Sequence, residues 1–259
     1  MKTIAEIGLL ILEKIRGLLG KKVRYQINDG NSLTPNHTIW DALLKKNVRE
    51  DGLVDYKAFI KDQDRLKEYT KTLSNNPPAT SWTNNEQLVY WINAYNAFTI
   101  ALVVKHYPVK SIKDIAGNIP MINSVWDLKF FKIGGIDFDL STIEHEILRK
   151  KFDEPRIHFA INCASISCPK LRREAYTASR VDNQLEEQAV IFITSPNYNK
   201  ITPNHVYLSK IFEWFKTDFT RNQDILQFLS QYTRVTFDDK VIFEYFPYNW
   251  NLNELKKKK

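Results

Sequence analysis

With only two cysteines in 259 residues, Cys163 and Cys168, the chain cannot be a disulfide-stapled scaffold, and at most one internal bridge is available. Glycine is scarce as well. The eight glycines form neither a phosphate loop nor a dinucleotide fingerprint, so no nucleotide cofactor is expected, nor any other. The apolar run at the start, residues 7–12, is closed by Glu6 and Glu13 and falls well short of the ~18 residues of a spanning helix. As a signal peptide it is also poor, because Glu13 and Lys14 follow at once and no small-x-small cleavage site precedes Val23. The placement read from this is cytoplasmic or peripheral to the membrane, with export left open. Internal repeats, low-complexity tracts and internal linkers are absent.

The composition is that of a chain with a sizeable core, 43% hydrophobic and 13% aromatic. Its net charge of +7 first points to a polyanion partner. That charge sits at the ends. Residues 1–24 carry a net +4 and residues 256–259 another +4, which leaves residues 25–255 at −1. A nucleic-acid groove needs basic side chains gathered on the folded body, so no nucleic-acid partner is expected. Ile4, Ile7, Ile11, Ile15 and Leu18 recur at helical spacing. This predicts an amphipathic basic helix that either lies on an anionic membrane surface or packs its stripe on the domain. The organisation is then a helix and linker over 1–30, one globular domain over 31–255 and a lysine tail over 256–259.

Within the body, residues 38–47 and 55–75 are patterned as helices, the second ended by Asn76-Pro77-Pro78. Residues 84–106 form the strongest helix, apolar nearly all round and stopped by Pro108, which places it in the middle of the domain. Residues 130–138 read as a hairpin turning at Gly134-Gly135. Ser141-Thr142-Ile143-Glu144 reads as a capping box that puts His145 in the first turn of the next helix. A strand over 156–162 entering Cys163, a helix over 181–194, a hairpin around Pro203-Asn204, a helix over 223–231 and a strand over 240–245 complete the pattern. Without a βαβ rhythm the class is α+β: a central buried helix packed with short antiparallel strands and surrounding helices.

HFAINCASISCPKL gathers His158, Asn162, Cys163, Ser165, Ser167 and Cys168. A cysteine delivered into a Ser-rich turn resembles the placement of a nucleophile, with hydroxyl or backbone donors at hand for an acyl oxyanion. Strand alternation would put His158 and Asn162 on one face and Cys163 on the other, so His145 is the candidate base and Glu144 its orienting carboxylate. The same residues allow blander readings: a packed cysteine, a capping Glu144, a disulfide, or a loosely spaced zinc set of His158, Cys163, Cys168 and His145. Asn93 and Asn96 share one side of the apolar helix and need partners, either the cysteine loop or a ligand. Trp91 and Tyr95 read as core. Glu213 and Asp218 do not share a helical face and suggest no acid/base pair.

WINAYNAFTI, STIEHEILR, PRIHFAINCASISCPKLRREAYTA with DNQLEEQAVIFI, LSKIFEWFKTDF and YNWNLN, in that order over roughly residues 38–253, together resemble the domain of unknown function 547 (DUF 547) family. The resemblance implies a domain without a stated activity, whose His-Cys-Cys block is here His158, Cys163 and Cys168 and whose Glu-His pair is Glu144 and His145. Pro247 and Asn249 stand where the family has an acidic, Asp-Trp-like ending. The expected function is a thiol-dependent hydrolase or acyl transferase on a small-molecule or peptide substrate, with Cys163 as nucleophile. Its cleft would be somewhat papain-like, although the cysteine here follows the histidine. The contrasting expectation is a non-catalytic binding module, membrane-peripheral or zinc-stabilised, with no metal in the leading reading.

Overall fold

The computed structural model describes residue 30, residues 32–116 and residues 124–256. The expected N-terminal helix and lysines 257–259 lie outside the described residues. Helices α1 (Thr38–Asn47), α2 (Tyr56–Lys61) and α3 (Gln63–Asn75) pack around α4 (Asn84–His106). The single helix expected over 55–75 is broken at Asp62, whose carboxylate accepts from Lys46 Nζ at 2.7 Å and Asn47 Nδ2 at 2.9 Å. Those bonds tie the break to the end of α1.

α4 begins at a capping box, Thr83 with Glu86, and ends before Pro108. Its length and mean hydropathy of 1.3 suffice to cross a membrane, but 83% of that apolar window is buried in this fold. An all-round apolar helix is stable only where it is surrounded. Strands β1 (Phe131–Ile133) and β2 (Ile136–Phe138) pair antiparallel, and Gly134 and Gly135 take φ of 58° and 80° in the turn.

The next helix differs from expectation. It starts at residue 140, and Asp139 rather than Ser141 caps it, with Oδ1 accepting from Thr142 N–H at 2.6 Å. His145 therefore lies in its second turn. From Thr142 to Leu148 it is π-wound, returning to α over Arg149–Lys151; this is α5. The expected strand over 156–162 is instead a short helix, α6 (Ile157–Ala160). Pro155 suits a first helical turn, and a short apolar run does not by its periodicity distinguish a strand from a buried helix.

α7 (Val181–Thr194) follows, then β3 (Lys200–Ile201), β4 (His205–Leu208), α8 (Lys210–Trp214), α9 (Lys216–Phe219), α10 (Ile225–Ser230) and β5 (Ile242–Tyr245). β3 and β4 pair antiparallel, but β5 joins β4 in parallel, because α8 to α10 form the crossover between them. The fold is α+β with a buried apolar helix and short strands.

The core falls into two clusters. One surrounds α4 and includes Ile157, Ala160 and Leu185; the other includes Phe159, Phe192, Phe212 and Phe228. α6 and α7 each contribute to both. His158 thus sits on an element shared by the two clusters.

Candidate functional site

A cleft of about 420 Å³ is lined from both clusters, by Tyr95 of α4 and Ile161 on one side and by Ile211 and Phe215 on the other. Clefts between packed units are where ligands are usually held. Glu144, His145, His158, Cys163 and Cys168 all line it, so the expected nucleophile and both expected histidines come together. Trp126, Trp214, Tyr248 and Trp250 form an aromatic wall, with Trp214 and Trp250 stacked at 5.7 Å and Tyr248 at 4.5 Å from Trp250.

The cysteine loop is held by amides. Asn96 Nδ2 donates to Ala160 O at 3.0 Å while its Oδ1 accepts from Asn162 N–H at 2.8 Å, so α4 grips the exit of α6 from both sides. Asn162 Nδ2 donates to Pro169 O at 2.7 Å, and its Oδ1 accepts from Ala164 N–H at 2.8 Å. Ala164 is thereby kept at φ 59°, a left-handed conformation that costs a residue bearing a Cβ about 1–2 kcal/mol. Asn93 holds a different segment, pairing with both Tyr176 O at 2.9 Å and Tyr176 N–H at 3.1 Å.

The chain near the C-terminus runs along this loop. Ile166 N–H donates to Asn251 O at 2.9 Å, and Asn249 N–H to Ser167 Oγ at 2.9 Å. Tyr248 Oη is thus set 3.3 Å from each cysteine sulfur, and Ser165 Oγ donates to it at 3.2 Å. Cys163 and Cys168 are joined to each other as a disulfide. Cys163 is partly exposed to the cleft, whereas Cys168 is buried at 5% exposure. With both sulfurs committed, the zinc set fails, and among the described residues no group of three or more His, Cys, Asp or Glu could hold a metal ion.

The two histidines differ in what their ring nitrogens face. Arg149 Nη1 donates to His145 Nδ1 at 3.0 Å. A guanidinium can only donate, so Nδ1 of His145 is an acceptor and a neutral ring carries its proton on Nε2, which removes its lone pair from duty as a base. Glu144 does not orient this ring; its carboxylate, 9% exposed, accepts from Tyr95 Oη at 3.1 Å. His158 Nε2 instead lies 2.8 Å from Asp218 Oδ2, and its buried Nδ1 has no partner among the described residues. Burial pushes this imidazole below its ordinary range and so favours the neutral form, outweighing Asp218, which pulls toward the charged one. Arg149 also clamps Asp218 in bidentate fashion, at 2.6 and 3.0 Å. Burial would raise the Asp218 carboxyl, but the donors His158 and Arg149 outweigh it and hold it well below the usual carboxylate range. The result is a neutral imidazole oriented through Nε2, stacked on Phe215 at 3.9 Å, with a bare Nδ1.

Residues 79–193 match a family model, Protein of unknown function, DUF547. No curated protein and no solved structure matches the chain. The DUF547 match runs from the approach to α4 almost to the end of α7, so it holds Tyr95, Glu144, His145, His158 and both cysteines. Asp218, Trp214, Tyr248 and Trp250 lie beyond the DUF547 match, on elements that fold back over it. These are the site residues that sequence spacing did not bring forward. For Asp218 the available signal was a buried histidine in need of a carboxylate, not a helical spacing.

Proposed function

We propose that the cleft is a reaction site of thiol-dependent hydrolase or acyl-transferase type, acting on a small-molecule or peptide substrate. A dithiol reductant first exchanges with the Cys163–Cys168 bond, leaving two cysteine thiols and the oxidised reductant. His158 Nδ1 then takes the Cys163 proton, and the thiolate adds to an acyl carbonyl. The leaving alcohol or amine departs with that proton, and water or an amine releases the acyl group. Tyr248 Oη, 3.3 Å from Cys163 Sγ, is a donor suited to a thiolate, and Ser165 Oγ at 3.2 Å becomes one when its proton turns from Tyr248. His145 and Glu144, the pair expected from sequence, are read as ligand contacts, since Arg149 holds the His145 acceptor. The papain-like comparison reduces to a cysteine and a histidine sharing one cleft. The observation that carries the reading is that Cys163 lines the same cleft as His158, whose partner Asp218 leaves Nδ1 bare.

Reduced protein mixed with p-nitrophenyl acetate should release a stoichiometric burst of p-nitrophenol and carry an acetyl group on Cys163. Oxidised protein and Cys163→Ser should show neither. A burst that survives Cys163→Ser removes the nucleophile.

A binding module is the second reading, favoured by the disulfide itself, which leaves neither sulfur free. Membrane-surface association is proposed through residues 1–24, and deletion of those residues should abolish sedimentation with anionic vesicles.

A further inference from the structure

Resting on the reading that this cleft is the reaction site, we propose that its ligand carries a protonated amine, received by the Glu144 carboxylate and His158 Nδ1 beside the tryptophan wall. Both groups are acceptors, both are more than nine-tenths buried, and both line the cleft. Among the described residues the hydrogen-bond partner of the Glu144 carboxylate is the Tyr95 hydroxyl at 3.1 Å, and no Lys or Arg pairs with it. A carboxylate offers about four acceptor positions, of which the Tyr95 hydroxyl uses one. A buried carboxylate without a counter-charge is unfavourable until a cation or a set of donors reaches it. Among the described residues Nδ1 of His158 is likewise without a partner, and it is itself almost wholly enclosed, so the ammonium reaches it only as the ring or its cover shifts.

The surrounding charges do not supply that cation. Arg149 is spent on Asp218 and on His145. Lys113 reaches the cleft from the other cationic direction, but its ammonium rests over the Trp250 ring, 3.9 Å from the centroid. That contact shows the wall taking an ammonium on an aromatic face, as cation–π attraction allows. Trp126, Trp214 and Tyr248 offer further ring surface. An ammonium has three donors for the two acceptors, while the hydrocarbon behind it suits the indoles. A ligand carboxylate would meet Glu144 instead and be repelled. For acyl transfer the amine, once it has given a proton to His158 Nδ1, is the acceptor, or it is the amino end of a peptide donor.

The test uses the full-length oxidised protein, in which no thiolate exists, so a failed acyl burst and a failed amine site are separate results. Intrinsic tryptophan fluorescence is followed on titration with n-butylammonium, n-butanol, butyrate and glucose. Saturable binding of n-butylammonium is expected, at least tenfold tighter than any of the other three. Glu144→Gln, checked for folding by circular dichroism, should weaken n-butylammonium at least tenfold. Equal or tighter binding of butanol, glucose or butyrate overturns the proposal, and this comparison needs no variant. Unchanged binding in folded Glu144→Gln overturns it as well.

Discussion

His158 and Asp218 meet at 2.8 Å from Nε2 to Oδ2, joining α6 to α9 across sixty residues of chain. The contact lies where the two apolar clusters approach, so it fixes an imidazole and helps to hold the two together. Arg149 completes the arrangement from α5. Three elements thus converge on one carboxylate.

Replacing Asp218 by Asn removes the charge that both partners need. An amide oxygen can serve one donor well, which leaves Arg149 partly buried without compensation. Urea unfolding of Asp218→Asn should show a loss of about 2–4 kcal/mol. In the folded variant the burst with p-nitrophenyl acetate should slow more than tenfold. A loss below about 0.5 kcal/mol would mean that the contact is incidental.

Asn96 makes two bonds to the exit of α6, and its truncation leaves Ala160 O and Asn162 N–H buried without partners. Asn96→Ala should therefore cost about 2–4 kcal/mol in chemical denaturation. Asn96→Asp keeps the acceptor for Asn162 N–H and should retain part of that loss. If both variants unfold alike with wild type, the loop is held elsewhere.

Reduction should produce two thiols of unequal reactivity. Cys163 is partly exposed to the cleft and close to two hydroxyls, whereas Cys168 is buried. Peptide mapping after brief iodoacetamide treatment of reduced protein should find Cys163 alkylated at least tenfold faster. Equal labelling would count against a privileged Cys163.

His37 gives a pH dependence independent of the cleft. Burial lowers its imidazole to about 4, and Nδ1 contacts Tyr69 Oη at 2.8 Å. Because the folded value lies below the unfolded one, stability from this group is complete above about pH 6.5 and is lost as pH falls toward 4. Allowing for its partial exposure, His37→Gln should flatten the pH dependence of the urea-unfolding free energy between pH 7 and 4 by roughly 1–2 kcal/mol. Parallel profiles for the two proteins would rule out His37 as the source.

Local physics explains what could be read in the chain beforehand. The limits of α1, α4 and α7 follow from apolar patterning and from the Pro108 stop, and the β1–β2 turn follows from two adjacent glycines. α6 patterns as a strand because its apolar residues are buried on both sides, between two clusters, so neither period dominates. Asp139 caps α5 in place of Ser141 because the helix starts two residues earlier than the Ser-Thr-Ile-Glu pattern implies. The site was only half legible. His145, His158, Glu144 and the cysteines stand out by type, but pairing depends on tertiary approach: no spacing within LSKIFEWFKTDF announces that Asp218 meets His158. Tyr95, read as core, is core and also touches Glu144.

α4 also carries a consequence for synthesis. Its 23 residues have bilayer length and hydropathy, yet β1, β2, α5, α6 and the cysteine loop that help to cover it all follow it in the chain. A ribosome adding about 5–20 residues per second leaves this segment only partly covered, by α1 to α3, for several seconds while those elements are made. During that interval the nascent chain presents what a membrane-targeting factor or a chaperone recognises. The helix that anchors the finished cleft is therefore also a stretch that stays exposed while the protein is unfinished.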